Sequence, residues 1–337
     1  MGMTRLAVVL AVGAALLCAL LAAVYPSVYP KLHKKEGETV VVTQTSLQHF
    51  RKLDRLTDRA RFRQVFLPGI LKPRVSGTSG NFEVREFLKS QLSVLNDWTV
   101  EQDTFNDSTP LGIRNFANIV ATLDPNATKR VVLAAHYDSK HMLNPNDEFV
   151  GATDSAVPCA MLLDIAYSLQ TLFRQRQTNL DTTLQLIFFD GEEAFVSWTD
   201  DDSLYGARHL AARWETTAHP VATNLTLLTA IDVFILLDLV GAPNPTFYNQ
   251  YSNTSKVFDR LRVLEQRLAK KKLLRDHQYT KHPYFKSGLL SRPLGIADDH
   301  LPFIRRGQWD VVGSNKHNII DYYNYIVLGR RFSGRHR

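Results

Sequence analysis

The apolar run from Leu184 to Phe189 ends in Asp190-Gly191-Glu192-Glu193, so a stretch of strand length stops abruptly at three carboxylates around one glycine. Adjacent glutamates in such a place can divide two tasks: one binds a metal ion while the other stays unligated and moves protons. They can equally be acids that enrich the first turn of a following helix, where negative charge suits the dipole. Taken alone, the residue types leave both readings open. Further acids and a histidine stand at comparable places: His136 and Asp138, Asp154, Asp238 and Asp298. Burying such a set without a cation is costly, so together these residues point to a divalent metal. An imidazole among carboxylates makes zinc the natural choice.

The elements that must position these side chains follow from periodicity. Leu184 to Phe189 suits a strand buried on both faces of an α/β sheet, with ligands bound beyond its carboxyl end. Arg130 to Ala135 reads as a strand running into His136-Tyr137-Asp138, and Ala230 to Leu237 as one running into Asp238. Trp98 to Phe105 alternates like a half-exposed strand, and Asn115 to Leu123 is another. Helices are expected over Ser46 to Phe66, over Asn81 to Leu95 with Ser79 as cap, and over Val157 to Phe173. Two more follow, from Leu204 to Trp214 and from Lys256 to Lys272. In the second of these five helices Phe82, Val84, Phe87, Leu88, Leu92 and Leu95 should lie on or near the buried face. No repeat is visible, and the pattern predicts an α/β domain with a central mixed, mostly parallel sheet flanked by helices.

Of the 337 residues, 45% are hydrophobic and 22% charged, which is ordinary for a globular protein able to bury a large core. The net charge of +7 is scattered, apart from Arg267 to Arg275 and the last residues, and no aromatic and basic interleaving accompanies it. A nucleic-acid partner is therefore not expected. Leu6 to Val24 is an uninterrupted apolar segment after Arg5, which reads as a signal peptide or a signal anchor over residues 1–25. Lys31, Lys34 and Lys35 on its far side outweigh Arg5, which argues against an anchor with a cytoplasmic N-terminus. Residues 26–45, with Pro26 and Pro30, form a linker. Sequons at Asn106, Asn126, Asn224 and Asn253 agree with the secretory pathway, the product being secreted or anchored in a Golgi membrane. Cys18 lies in the apolar segment and leaves Cys159 without an intrachain partner, so no disulfide is expected.

At this point the chain resembles the glutaminyl-peptide cyclotransferases, the animal glutaminyl cyclases of the zinc aminopeptidase-like superfamily. The matching residues are His136 to Lys140, Val150 to Cys159, Phe189 to Phe195, Asp201 to Gly206, Leu237 to Pro245 and Asp298 to Phe303. The resemblance covers about residues 45 to 307, and we take 46–307 as the domain. It implies Asp154 and Glu193 as zinc ligands, Glu192 as the acid-base residue, Asp238 and Asp298 as its supporting network, and Trp198 in the substrate pocket. It assigns His136 and Asp138 to structural support, as remnants of the second metal site of related aminopeptidases. The implied substrates are peptides and proteins with N-terminal glutamine, cyclised to pyroglutamate with loss of ammonia by a monomeric enzyme.

The resemblance stops after Gly307. The family continues with an apolar strand and a Trp-His pair whose histidine is the third zinc ligand, whereas residues 308–337 read Gln308-Trp309-Asp310-Val311 and end in a basic tail. An alternative transcript end is expected, which sequencing across the Gly307 codon checks. Two carboxylates leave zinc short of three protein ligands, so impaired activity is expected. His317 could substitute, although a lone histidine in such a tail is ordinarily a surface residue. Ile319 to Leu328 is apolar enough to cover part of the sheet edge that the missing strand would leave. Two rival readings remain: a zinc aminopeptidase with a two-metal site, and a cyclase-like chain without activity that only binds N-terminal peptides.

Overall fold

The computed structural model describes residues 57–144, 146–174, 181–242, 245–249, 255–274, 279, 281–289, 297–307 and 325–330. The apolar N-terminal segment, the linker, the Asn253 sequon and His317 lie outside the described residues. A helical segment α1 (residues 59–70) comes first, with the Asp58 carboxylate accepting the N–H groups of Ala60 and Arg61 at 3.0 Å. Helix α2 (Ser79–Ser93) follows, then strands β1 (Thr99–Thr109), β2 (Gly112–Thr122) and β3 (Lys129–His136). Helix α3 (Val157–Arg174), strand β4 (Thr182–Phe189), helix α4 (Tyr205–Thr216) and strand β5 (Ile231–Asp238) complete the centre. Beyond them lie β6 (Phe247–Asn249), α5 (Ser255–Lys270), β7 (Phe285–Leu289), α6 (His300–Arg306) and β8 (Tyr325–Arg330).

The main sheet has the order β1-β2-β4-β3-β5-β8 and is mixed, flanked by helices as expected. Its parallel part is smaller than the sequence suggested. Strands β4, β3 and β5 run parallel, while β1 with β2, β2 with β4, and β5 with β8 pair antiparallel. The reason is connectivity: β1 and β2 are joined by a two-residue turn and must be antiparallel, whereas α3 provides the crossover from β3 to β4. Strands β3 and β4 are buried at almost every position, which explains their continuous apolar runs.

Two apolar clusters sandwich the sheet. One joins α1, α2, α3 and α5 to one face through Phe66, Leu88, Leu162, Leu133 and Phe188; the other joins α4 and α6 to the opposite face through Leu210, Trp214, Phe303 and Phe234. Two local expectations shift. The cap of α2 is Thr78, whose Oγ1 accepts the Asn81 N–H at 3.3 Å, and Ser79 is already helical. Phe82 lies on the solvent side of α2 and is 54% exposed, because the buried stripe runs through Val84, Leu88 and Leu92. Within the tail, residues 325–330 lie along β5, with Asp238 opposite Tyr325, and cover that edge.

Candidate active site

The carboxyl ends of the parallel strands carry the chemistry. His136 closes β3 opposite Phe189, and the chain leaves β4 through Asp190 and Gly191; Asp238 closes β5. Gly191 has φ +71°, and a Cβ there would stand 2.6 Å from the Phe116 ring, so only glycine turns the chain here. Glu192 and Glu193 follow in extended and bent backbone. The next helix begins only at Tyr205, so these glutamates are not first-turn acids. Asp154 comes from the turn Ala152–Ala156 ahead of α3, and Asp298 from the loop ahead of α6.

These side chains converge. His136 Nε2 lies 2.9 Å from Asp154 Oδ1, 3.4 Å from Asp238 Oδ1 and 4.0 Å from Glu192 Oε2. Two groups result whose donor atoms fall within 4.8 Å of one another: His136, Asp154 and Asp238, and then Glu192, Asp238 and Asp298. Asp238 belongs to both and also accepts a hydrogen bond from Ser155 Oγ. Glu193 stands outside both groups and feels Asp154 electrostatically. Trp198 sits on the loop between Glu193 and α4 and is 43% exposed.

The electrostatics show what burial does to such a cluster. Glu193 is pushed up to about 8, first by burial and then by Asp154. Burial also holds the Glu192 carboxyl well above its usual range, and Glu193, Asp298 and Asp238 add to it against His136. Burial alone would pull the His136 imidazole down, but Glu192, Asp138, Asp154 and Asp238 outweigh it and raise it. Asp238 is held below the ordinary range: burial opposes this, but contacts with His136, Ser155 and the Leu239 N–H prevail. Protons or a cation must supply the positive charge this rim needs. Carboxylate oxygens with one imidazole nitrogen are donors that a divalent ion accepts, so the residues fit a metal.

Three residues anchor the backbone around these groups, and of them only Asp138 was given a structural role by the resemblance. Asp138 holds the glutamate pair: its Oδ1 accepts the Glu192 N–H and its Oδ2 the Glu193 N–H, both at 3.1 Å. Its Oδ1 also meets His136 Nδ1 at 3.3 Å. Arg74 is fully buried; its guanidinium donates to backbone carbonyls, among them Tyr137 at 2.5 Å, Gly151 at 3.0 Å and Lys72 at 3.1 Å, and its backbone N–H to Ser139 Oγ at 2.9 Å. It ties the segment after β3 to the turn that bears Asp154. Asp202 accepts the N–H groups of Phe195, Val196 and Ser197 at 2.9 Å, shaping the loop that presents Trp198. Nothing in the sequence distinguishes Arg74 from a surface cation; the motif Asp201-Asp202-Ser203 at least flagged Asp202.

The parallel centre with ligand-type residues at its carboxyl edge is the arrangement of the metallopeptidase-like α/β enzymes, and the model of Peptidase family M28 matches residues 118–324. Within that class the chain belongs to the glutaminyl-peptide cyclotransferase family. It is 47% identical over 260 residues to the glutaminyl-peptide cyclotransferase of Boiga irregularis, covering 74% of this chain and 70% of that one. It is also 47% identical over 252 residues to the glutaminyl-peptide cyclotransferase-like protein of Bos taurus, where the match spans 74% of this chain but 64% of the relative. The crystal structure of Macrostomum lignano glutaminyl cyclase superposes with a TM-score of 0.67 at 37% identity, covering 81% of this chain and 82% of that one.

Proposed function

We propose that this protein cyclises the N-terminal glutamine of peptides and proteins to pyroglutamate, releasing ammonia, with zinc as its cofactor. The observation that carries the reading is the close approach of Glu192, Asp238 and Asp298 beside the His136, Asp154 and Asp238 group. Asp154 and Glu193 would hold the ion, with His136 Nε2 within reach of Asp154. Bound zinc supplies Lewis acidity toward the amide oxygen. The substrate's free α-amine attacks the side-chain amide carbon; Glu192 takes one proton from that attacking nitrogen and returns it to the departing nitrogen, so that the carbon–nitrogen bond breaks, ammonia leaves and the lactam closes. Burial holds the Glu192 carboxyl well above its usual range, which strengthens it as a proton acceptor. Asp238 and Asp298 keep Glu192 in this proton-sharing environment, and Trp198 offers an apolar wall at the mouth.

Incubating the full chain with zinc and a glutamine-starting peptide tests this by ammonia release. No release from a folded, zinc-loaded sample defeats it. Activity below that of the relatives is proposed on the reading that residues 308–337 depart from the family's pattern. A second reading, a zinc aminopeptidase, is favoured by one observation: His136, Asp154 and Asp238 form a donor group of their own that a second ion would suit. Two tightly bound zinc ions per chain, with hydrolysis of the first peptide bond, would select it. The chain is further proposed to be a monomeric glycoprotein of the secretory pathway, secreted or Golgi-anchored. Support comes from the apolar segment and the sequons; no helix among the described residues is long and apolar enough to cross a membrane.

A further inference from the structure

Three sequon asparagines fall among the described residues, and the fold treats them differently. Asn106 sits in the middle of β1, where its side-chain oxygen accepts Asn115 Nδ2 at 2.9 Å from the neighbouring strand. Asn106 is exposed on that strand, whereas Asn126 and Asn224 are exposed in turns. The Asn126 turn links β2 to β3 and is closed by its own N–H to Asp124 Oδ1 at 3.0 Å. The Asn224 turn lies between α4 and β5, closed by Leu225 N–H to Ala222 O at 2.8 Å.

These turns meet. His219, buried at 2% exposure, places Nε2 3.0 Å from the carbonyl of Ala127, the residue after Asn126. Its backbone N–H bonds Leu225 O, the residue after Asn224, at 2.9 Å. One histidine thus clasps both sequons into a single patch at the amino ends of β3 and β5. The hydroxyl residue of each triplet is tied into the fold: Thr128 Oγ1 to Asp181 O at 3.4 Å, and Thr226 Oγ1 to Thr229 Oγ1 at 3.2 Å. Neither asparagine side chain is needed for packing, so a large substituent there displaces nothing. Strand β3 runs from this patch to His136 over eight residues. At about 3.3 Å per residue the catalytic rim is roughly 25 Å away, at the opposite pole.

We propose that Asn126 and Asn224 each carry an N-linked glycan, so that both sugars project from the pole remote from the active site and leave its mouth open. This rests on the secretory-pathway reading. The step joins the asparagine amide nitrogen to the anomeric carbon of a lipid-diphosphate-linked oligosaccharide. The carbon–oxygen bond to the diphosphate breaks, the amide nitrogen loses a proton, and the lipid diphosphate leaves.

The test is translation of the full chain with microsomes, once with its own N-terminus and once behind a strong cleavable leader, followed by protease protection and peptide N-glycosidase treatment. The expected result is a glycosidase-sensitive band shift that loses one glycan in Asn126→Gln, one in Asn224→Gln and two in the double variant, with ammonia release unchanged. A protected, leader-driven chain whose shift is indifferent to both substitutions overturns the assignment. Failure of protection with the native N-terminus alone counts against the secretory reading instead, and the leader-driven chain still decides the sites.

Discussion

Asp138 holds Glu193 by its backbone, accepting its N–H on Oδ2 at 3.1 Å, while Oδ1 does the same for Glu192. The two glutamates are therefore fixed by a residue more than fifty positions earlier in the chain, just beyond the end of the neighbouring strand β3. Asp138→Asn replaces one accepting oxygen with a donor and leaves a buried N–H facing another N–H. The expected cost is about 1–3 kcal/mol of stability, with ammonia release at least tenfold lower. Thermal melting and steady-state kinetics measure both.

Glu192→Gln separates catalysis from folding. General acid-base assistance is worth about 10²–10⁴-fold, and cyclisation should fall by that much. Stability should not fall with it. Glu192 is raised by burial first and then by Glu193, Asp298 and Asp238, so a neutral amide relieves repulsion. An unchanged or higher melting temperature with activity lost is the expected pair; unchanged activity would remove Glu192 from the mechanism.

Arg74→Lys keeps the charge but not the fork that reaches the carbonyls of Tyr137, Gly151 and Lys72 together. Loss of several buried hydrogen bonds should cost about 3 kcal/mol. Because this clamp sets the turn that presents Asp154, zinc affinity should weaken by about 10–100-fold. Denaturant melts and competitive zinc titration read the two effects, and full retention of both would show that the clamp is dispensable.

Asp164 gives a pH prediction away from the active site. It lies on α3 at 1% exposure, and burial pushes its carboxyl up to about 7 although Arg61 opposes this. A carboxyl raised on folding binds its proton more tightly in the native state. Its contribution is complete below the unfolded value near 3.8 and is lost as pH rises through about 7. Asp164→Asn cannot ionise, so relative to the parent it should gain melting temperature as pH rises from about 4 to about 7, with the gain levelling off above that. Parallel pH curves for the two proteins would refute this.

The sequence by itself carried most of the elements and nearly all of the candidate chemistry. Strand-length apolar runs ending in His136, Asp190 and Asp238 are local signals, since hydrophobic periodicity and abrupt polarity changes are written in neighbouring residues. The helix spans of α3, α4 and α5 were legible for the same reason, and the family motifs attached roles to individual acids. Three things were not local. The sheet order β4-β3-β5 decides that Asp238 stands beside both His136 and Glu192, and no spacing encodes that. Pairing β1, β2 and β8 antiparallel at the edges depends on connections and on where residues 325–330 of the tail come to lie. Arg74 becomes an anchor only because the distant carbonyls of Tyr137, Val150 and Gly151 turn inward around it, where its burial is offset by hydrogen bonds. Sequence named the groups that could act; tertiary structure decided which oxygen faces which nitrogen, because proximity in a sheet is set by strand order and not by distance along the chain.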